Sequence, residues 1–180
     1  ASRGLGDVYK RQYYNRYKTT PGRRESPQTE LPAKGGGFMQ VRNYMTGAAA
    51  VTHPDEPVVA AARLMRMRGI GALPVCEDDG TLAGMLTDRD IVVRCVSSGG
   101  DPGAVTVRSI MSRDPVTVEA GADIRRAMET MRAAQVRRLP VTEGGKLAGI
   151  LSIDDIARSG KWDMECAQAL CGITANVCRR

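Results

Sequence analysis

Two short motifs carry the side chains of this chain that are best suited to hold a ligand. Each combines a glycine, a hydroxyl and a carboxylate at one spacing: Gly84-x-x-Thr87-x-x-Asp90 and Gly149-x-x-Ser152-x-x-Asp155. Where a strand turns into a helix, a hydroxyl can bond to a phosphate, and the free N–H groups of the first helical turn attract anions. The carboxylate can accept from the two hydroxyls of a ribose. The glycine lets a ligand approach the backbone closely.

The same spacing also matches a capping box at the start of a helix. In a capping box the Thr or Ser hydroxyl and the acid three residues later satisfy backbone N–H groups of the first turn. Spacing does not separate the cap from the ligand site, and a duplication would copy either one. Both interpretations therefore remain open at the level of sequence.

The two motifs belong to two copies of a longer repeat. The segment VRNYMT at 41–46 returns as VRSIMS at 107–112, and Leu73-Pro74-Val75 returns as Leu139-Pro140-Val141, both 66 residues later. The offset falls to 65 at the motifs, because one turn is a residue longer in the first copy. Repeats of this kind usually leave an apolar face that only the neighbouring copy can cover. We therefore expect two related sites near the place where the copies meet.

Each repeat is predicted to contain a short strand, a helix, a strand, a turn, a strand and a second helix, in this order. Asp55 is the expected capping residue of the first long helix, with Pro57 in its first turn and Gly69 at its end. The apolar faces of the two long helices have the same i, i+3, i+4, i+7 pattern. They consist of Val58, Ala61, Ala62 and Met65 in the first copy, and of Ile124, Ala127, Met128 and Met131 in the second.

These patterns divide the chain into five segments. Residues 1–38 are expected to form a disordered extension that need not be native, because they lack an apolar period and end in a glycine run. The repeats then cover residues 39–96 and 107–159, with a linker at 97–106 rich in Ser, Gly and Pro. Residues 160–180 are expected to contain an amphipathic helix that docks on the body or on a partner subunit, with Trp162, Cys166, Ala169, Leu170 and Ile173 on one face.

The positive charge of the chain lies almost entirely in its first segment. The whole chain has a net charge of +6, but residues 1–38 hold eight basic and three acidic residues, against 18 and 17 in the rest. Four of the five tyrosines also lie there. Beyond residue 38 only Tyr44 and Trp162 are aromatic, too few for a base-stacking surface. A nucleic-acid-binding protein that uses the basic tail is therefore the weakest of the alternatives.

The remaining composition argues against an enzyme, a metalloprotein and a membrane protein. The chain has no G-x-S-x-G, H-E-x-x-H or Walker A motif, and its single histidine, His53, precedes a proline in a connector. Its five cysteines form no C-x-x-C pair, so a metal site would have to be built from thiolates alone. No apolar run approaches the length of a membrane span, and there is no signal-like segment. We expect a cytoplasmic protein that needs no cofactor.

The combination of L-P-V, the following turn, G-x-L-T/S-x-x-D-I and the V-x-x-x-M-T/S lead-in resembles a tandem pair of CBS domains, the module named after cystathionine β-synthase. The resemblance covers about residues 41–158. It implies an α/β (α+β) fold in which two β-α-β-β-α repeats pack through their sheets with pseudo-twofold symmetry. It further implies clefts between the repeats that bind AMP, ADP, ATP or another adenosyl compound.

The resemblance also assigns roles to particular residues. Thr87 and Ser152 would face phosphate, and Asp90 and Asp155 would hold ribose. By their position in the repeat, Thr52, Val118, Ala72 and Arg138 would border the base or the phosphates. Arg137 and Arg138 stand where the first copy has Gly71 and Ala72, so phosphate-binding charge is concentrated in the second copy. Surface solvation or pairing with Asp154 is the alternative role of these arginines.

The sequence thus predicts a free-standing, non-catalytic regulatory module that binds adenine nucleotide between its repeats and signals by a conformational change, through its own packing or an effector protein. A homodimer held by helices of both repeats is expected. The alternative is a ligand-free scaffold for homodimerisation in which both motifs act only as helix caps.

Overall fold

The computed structural model describes residues 39–175, and within them the chain forms seven strands, six α-helices and a short 3₁₀-helix over Val41–Asn43. The strands are β1 (Thr46–Gly47), β2 (Ala72–Cys76), β3 (Leu82–Thr87), β4 (Ser112–Arg113), β5 (Val118–Glu119), β6 (Arg138–Glu143) and β7 (Lys146–Ser152). The helices are α1 (Val58–Arg68), α2 (Asp88–Asp90, continued by a π-helix over Ile91–Val96), α3 (Val107–Ile110), α4 (Ile124–Ala134), α5 (Ile153–Ala157) and α6 (Asp163–Thr174). The expected α/β fold is confirmed, while the expectation for residues 1–38 lies outside the described part of the chain.

Two sheets form, one for each repeat. The three-stranded sheet has the order β2-β3-β4 and the four-stranded sheet has the order β1-β7-β6-β5. Each is built on an antiparallel hairpin, β2–β3 in the first repeat and β6–β7 in the second. Strand β5 lies parallel to β6, whereas in the first repeat its counterpart is reduced to a single bridge between Thr52 and Val75.

Helix α1 begins differently from the expectation. Asp55 does not cap it; instead its carboxylate accepts from the guanidinium of Arg108 at 3.1 Å. The first free N–H groups of the helix bind carbonyls of the linker between the repeats, such as that of Val58 to the oxygen of Val105 at 2.9 Å. Because backbone carbonyls already satisfy these donors, the helix start needs no side-chain cap.

The long helices of the two repeats end in the same way. Gly69 closes α1 with φ at 64°, in the left-handed region where glycine has no steric penalty. Gln135 closes α4 in the same conformation, and Asp123 caps the start of α4 by accepting from the N–H of Arg125 at 2.8 Å. The four predicted core positions of α4 are all buried, and in α1 only Ala62 is partly exposed.

Each repeat has its own hydrophobic core, and each core is completed by a segment from the other repeat. Val41, at the start of the first repeat, is fully buried in the core of the second. Its N–H donates to the carbonyl of Ala122 at 2.9 Å, and β1 then pairs with β7. Conversely, Val107 and Ile110 of α3 lie in the core of the first repeat, and β4 pairs with β3. We call residues 39–47 and 107–113 the lead-in segments; each of them packs on the other repeat.

Helix α6 docks on the second repeat of its own chain. Trp162, Cys166, Ala169 and Ile173 are buried in that core, whereas Leu170 of the predicted face is 37% exposed. The indole N–H of Trp162 donates to the hydroxyl of Tyr44 at 3.2 Å, which joins this end of the chain to the first lead-in segment. Within the part of the chain that the structure covers, no helix is both long and apolar enough to cross a bilayer.

Candidate functional site

Both motifs form complete capping boxes at the point where a strand turns into a helix. In the first repeat the hydroxyl of Thr87 accepts from the N–H of Asp90 at 3.1 Å. The Asp90 Oδ2 atom accepts from the Thr87 N–H at 2.9 Å and from its hydroxyl at 2.6 Å. Ser152 and Asp155 repeat these three distances in the second copy. Both motifs therefore cap their helices, and the second oxygen of each carboxylate, Oδ1, takes no part in the capping box.

The predicted neighbours of each hydroxyl lie directly across the hairpin from it. Ala72 is the cross-strand partner of Thr87, and Arg138 is that of Ser152. The residue after each hydroxyl donates its N–H at 3.0 Å to the residue just before the paired strand, to the carbonyl of Gly71 in one repeat and to that of Arg137 in the other. Ala72, Arg137 and Arg138 therefore lie beside the motif hydroxyls, and their contact with a ligand stays a prediction.

Thr52 and Val118 occupy matching places on the far side of the hairpins. Thr52 bridges to Val75 in β2, and Val118 pairs with Val141 in β6. Both side chains are buried, and the Thr52 hydroxyl donates to the carboxylate of Glu56 at 2.7 Å. They lie one strand away from the motif glycines, since Val75 pairs with Gly84 and Val141 with Gly149.

The two motif glycines allow a close approach of neighbouring strand backbone. A Cβ atom on Gly84 would lie 2.7 Å from the carbonyl oxygen of Ser112, and one on Gly149 would lie 2.5 Å from that of Thr46. Both oxygens belong to the strands that the exchanged lead-in segments add to the sheets. Protein backbone therefore makes a close approach that glycine permits at these positions, and the approach of a ligand stays a prediction.

An arginine contacts the remaining oxygen of each motif carboxylate. The Arg94 Nε atom lies 3.4 Å from Asp90 Oδ1, and a guanidinium nitrogen of Arg158 contacts Asp155 Oδ1. Neither arginine was predicted from the sequence. Their spacing could have identified them, since an arginine three or four residues after an acid on a helix is placed to pair with it.

The charge around the two motifs is unequal. Arg137 and Arg138 are exposed, and within residues 39–175 neither guanidinium forms an ion pair, with Asp154 or any other acid. The first repeat has Gly71 and Ala72 at these positions. A Cβ atom on Gly71 would lie 2.8 Å from Asp88 Oδ2, so a carboxylate fills the space next to it. The second motif is thus bordered by positive charge, and the first by a negative group.

His53 lies in a cluster of charges that joins the repeats. Its ring nitrogens are 3.7–3.9 Å from carboxylate oxygens of Asp55, Glu77 and Asp78, and Nδ1 accepts from the Asp55 N–H at 3.3 Å. Arg108, from the second lead-in segment, binds both Asp55 and Glu77. Its hydrogen bond holds the pKa of the Asp55 carboxyl below the usual range. This arrangement fits a connector held by polar contacts.

The cysteines between residues 39 and 175 are free thiols. The four in the described residues, Cys76, Cys95, Cys166 and Cys171, are all free, and the first three are buried. Burial, chiefly, raises the pKa of the Cys76 thiol to about 11, which suppresses the reactive thiolate. Among residues 39–175, no group of three or more His, Cys, Asp or Glu side chains is placed to hold a metal ion.

Both repeats match known proteins. The model of the CBS domain family matches residues 41–96 and 107–161. Hypoxic response protein 1 of Mycobacterium tuberculosis is 41% identical to this chain over 117 residues, which are 65% of this chain and 82% of that protein.

Two solved structures extend these matches to the fold. The crystal structure of Hypoxic Response Protein I with two coordinated zinc ions is 40% identical, has a TM-score of 0.63, and aligns over 67% of this chain and 98% of its own. The crystal structure of CBSX2 in complex with AMP is 27% identical, with a TM-score of 0.60 and coverage of 68% and 96%. CBSX2 is a protein of Arabidopsis thaliana.

Proposed function

The chain belongs to the CBS domain family as a tandem pair, and from this premise we propose that it is a non-catalytic regulatory module that binds an adenine nucleotide. The observation that carries the proposal is the duplicated hydroxyl and carboxylate at the ends of β3 and β7, each with its predicted cross-strand neighbour beside it. The AMP bound to the related CBSX2 supports the choice of ligand class.

In this proposal each repeat supplies the same set of groups to a nucleotide. Thr87 or Ser152 faces phosphate, and Asp90 or Asp155 accepts from ribose hydroxyls. Arg137 and Arg138 attract the phosphates to the second motif, because exposed guanidinium groups bind phosphate oxygens well. The two sites therefore differ in affinity, and the second is the tighter one for phosphorylated ligands.

Binding would act by shifting the arrangement of the two repeats. A ligand moves such an equilibrium only if it binds one arrangement more tightly than the other. Because each sheet contains a strand from the opposite lead-in segment, a change at one motif reaches the other repeat through covalent and hydrogen-bonded connections. An effector protein would read that change.

A screen of thermal unfolding against AMP, ADP, ATP, NAD and S-adenosylmethionine tests the proposal. We expect the melting temperature to rise with at least one of them, since a ligand that binds only the folded state stabilises it. Inorganic phosphate at the same concentration is the control for non-specific anion effects. If no adenosyl compound raises the melting temperature above this control, the proposal is wrong.

A ligand-free scaffold is the second candidate function, and the complete capping boxes favour it. Every motif hydroxyl and carboxylate already has protein partners, so the motifs would be useful even without a ligand. A metal-binding function has no such support, although a relative holds zinc, because the described residues offer no set of ligands for it. We place the protein in the cytoplasm, since its described cysteines are free thiols.

We expect a homodimer held by helices of both repeats, including α2. On this helix Val92, Val93 and Val96 are 51–58% exposed and form an apolar surface that a second copy could cover. Light scattering on the full chain should give the dimer mass at micromolar concentration. The Val93→Glu variant should shift the chain toward the monomer, because dimerisation would bury the new charge.

The matched control for the dimer is Val116→Glu. Val116 is 48% exposed and lies in the connection between β4 and β5, away from the helices. This variant should keep the mass of the unmodified protein. A monomer mass for the unmodified chain would contradict the expected assembly.

A further inference from the structure

Arg94 joins the carboxylate of the first motif to the second lead-in segment. Its Nε atom lies 3.4 Å from Asp90 Oδ1, and its Nη1 atom donates to the carbonyl of Ile110 at 2.8 Å. Ile110 is the last residue of α3 and is buried in the core of the first repeat. Two residues later β4 begins, and it pairs with β3 next to Gly84.

The second repeat does not make this connection. The residue that matches Arg94 is Ser159, whose hydroxyl donates to the nearby carbonyl of Ile156 at 2.6 Å. Arg158 contacts Asp155 instead, but its side chain is 70% exposed and within the described residues it has no second anchor. The bridge from carboxylate to lead-in segment thus distinguishes the first repeat from the second.

A ribose at Asp90 would need the oxygen atom that Arg94 contacts. Asp90 Oδ2 already accepts two hydrogen bonds within the capping box, which leaves Oδ1 as the acceptor for a ligand hydroxyl. The Asp90 side chain is only 14% exposed, so it has little room to turn a free oxygen outward. A ribose hydroxyl and the Arg94 guanidinium would therefore meet at one oxygen atom.

We propose that Arg94 is an internal competitor for ribose at Asp90 and couples that site to the second lead-in segment. The inference rests on the proposed function. When ribose displaces the Arg94 guanidinium from Oδ1, the ion pair that orients its Nη1 toward Ile110 is lost. The carbonyl of Ile110 then loses a charged donor, and the segment from Ile110 to Arg113 is held less firmly against β3. Arg94 is a positioning residue for this signal.

The test uses AMP as the probe and the Asp155→Asn background, which leaves the first-repeat site as the main one. In that background Arg94→Met should bind AMP about two- to fivefold more tightly in calorimetric titration, the gain expected from removing a partly exposed competing ion pair. Arg89→Met is the matched control. It removes an exposed arginine of the same helix whose guanidinium forms no ion pair in the described residues, and it should not tighten binding.

Hydrogen exchange measures the coupling separately from affinity. In the chain with Arg94, saturating AMP should speed amide exchange at residues 110–113. In Arg94→Met, exchange there should already be fast without AMP, with no further increase. Arg94→Lys serves if the methionine variant is poorly folded: its shorter side chain keeps a charge near Asp90 but cannot span to Ile110, so exchange should be raised and affinity little changed.

The possible failures differ from one another. If AMP binds, but Arg94→Met leaves both its affinity and the exchange at residues 110–113 unchanged, the role of Arg94 is overturned while the nucleotide site stands. If neither AMP nor any other adenosyl compound binds the unmodified protein, the proposed function fails and this inference fails with it.

Discussion

Replacement of Gly149 by alanine should lower the free energy of unfolding by about 1–3 kcal/mol, the usual cost of forcing an extra carbon into a packed site. The new Cβ atom would lie 2.5 Å from the carbonyl oxygen of Thr46. That oxygen belongs to the backbone of β1, so it cannot rotate away as a side chain could. To remove this steric clash, β1 must move away from β7, and this movement weakens the packing of the first lead-in segment on the second repeat.

Chemical denaturation of the variant beside Gly47→Ala measures this effect. Gly47 is the cross-strand partner of Gly149, but a Cβ atom there would meet nothing within 4 Å. The control should therefore stay within about 0.5 kcal/mol of the unmodified protein, as surface substitutions usually do. Equal stability of the two variants would show that β1 does not pack against Gly149 as described.

Asp155→Asn should weaken nucleotide binding by more than tenfold, which corresponds to about 1.4 kcal/mol or more. The amide keeps the size of the carboxylate and some capping ability, but it loses the charge that best accepts ribose hydroxyls. Asp90→Asn should weaken binding in the same direction. We expect the larger effect at Asp155, because Arg137 and Arg138 lie beside its motif and draw phosphate there.

Calorimetric titration of both variants, beside unfolding curves without ligand, separates a ligand site from a cap. If the carboxylate only stabilises the helix start, its replacement should lower the free energy of unfolding of the ligand-free protein by roughly 0.3–1 kcal/mol. Asp154→Asn is the matched control, since Asp154 is an exposed acid of the same helix outside the capping box. Unchanged affinity together with lowered stability would assign the motifs to capping and favour the scaffold.

The elements of this fold were predictable because their signals are local. The apolar residues from Ile124 to Met131 recur with the period of a helix, and Gly69 follows the last residue of α1, where glycine commonly ends a helix. The apolar face is the same in α1 and α4, whereas the helix-ending glycine is not repeated, since Gln135 closes α4. The cross-strand placement of Ala72 and Arg138 beside the motif hydroxyls followed from the turn that closes each hairpin.

What the sequence did not reveal depends on contacts between distant parts of the chain. The close contact at Gly149 becomes visible only when Thr46 lies against it, and Asp55 binds Arg108 of the other repeat instead of capping α1. Arg94 likewise gains its role from the carbonyl of Ile110. Each of these contacts joins a repeat to the opposite lead-in segment, and no local pattern records that exchange.

The exchange of lead-in segments also governs the order in which the chain can fold during synthesis. The first core cannot close until α3 has left the ribosome, and Thr46 must wait for Ile150 at the far end of the second repeat. Such distant pairings slow folding, because the entropy of closing the loop is lost before the contacts form.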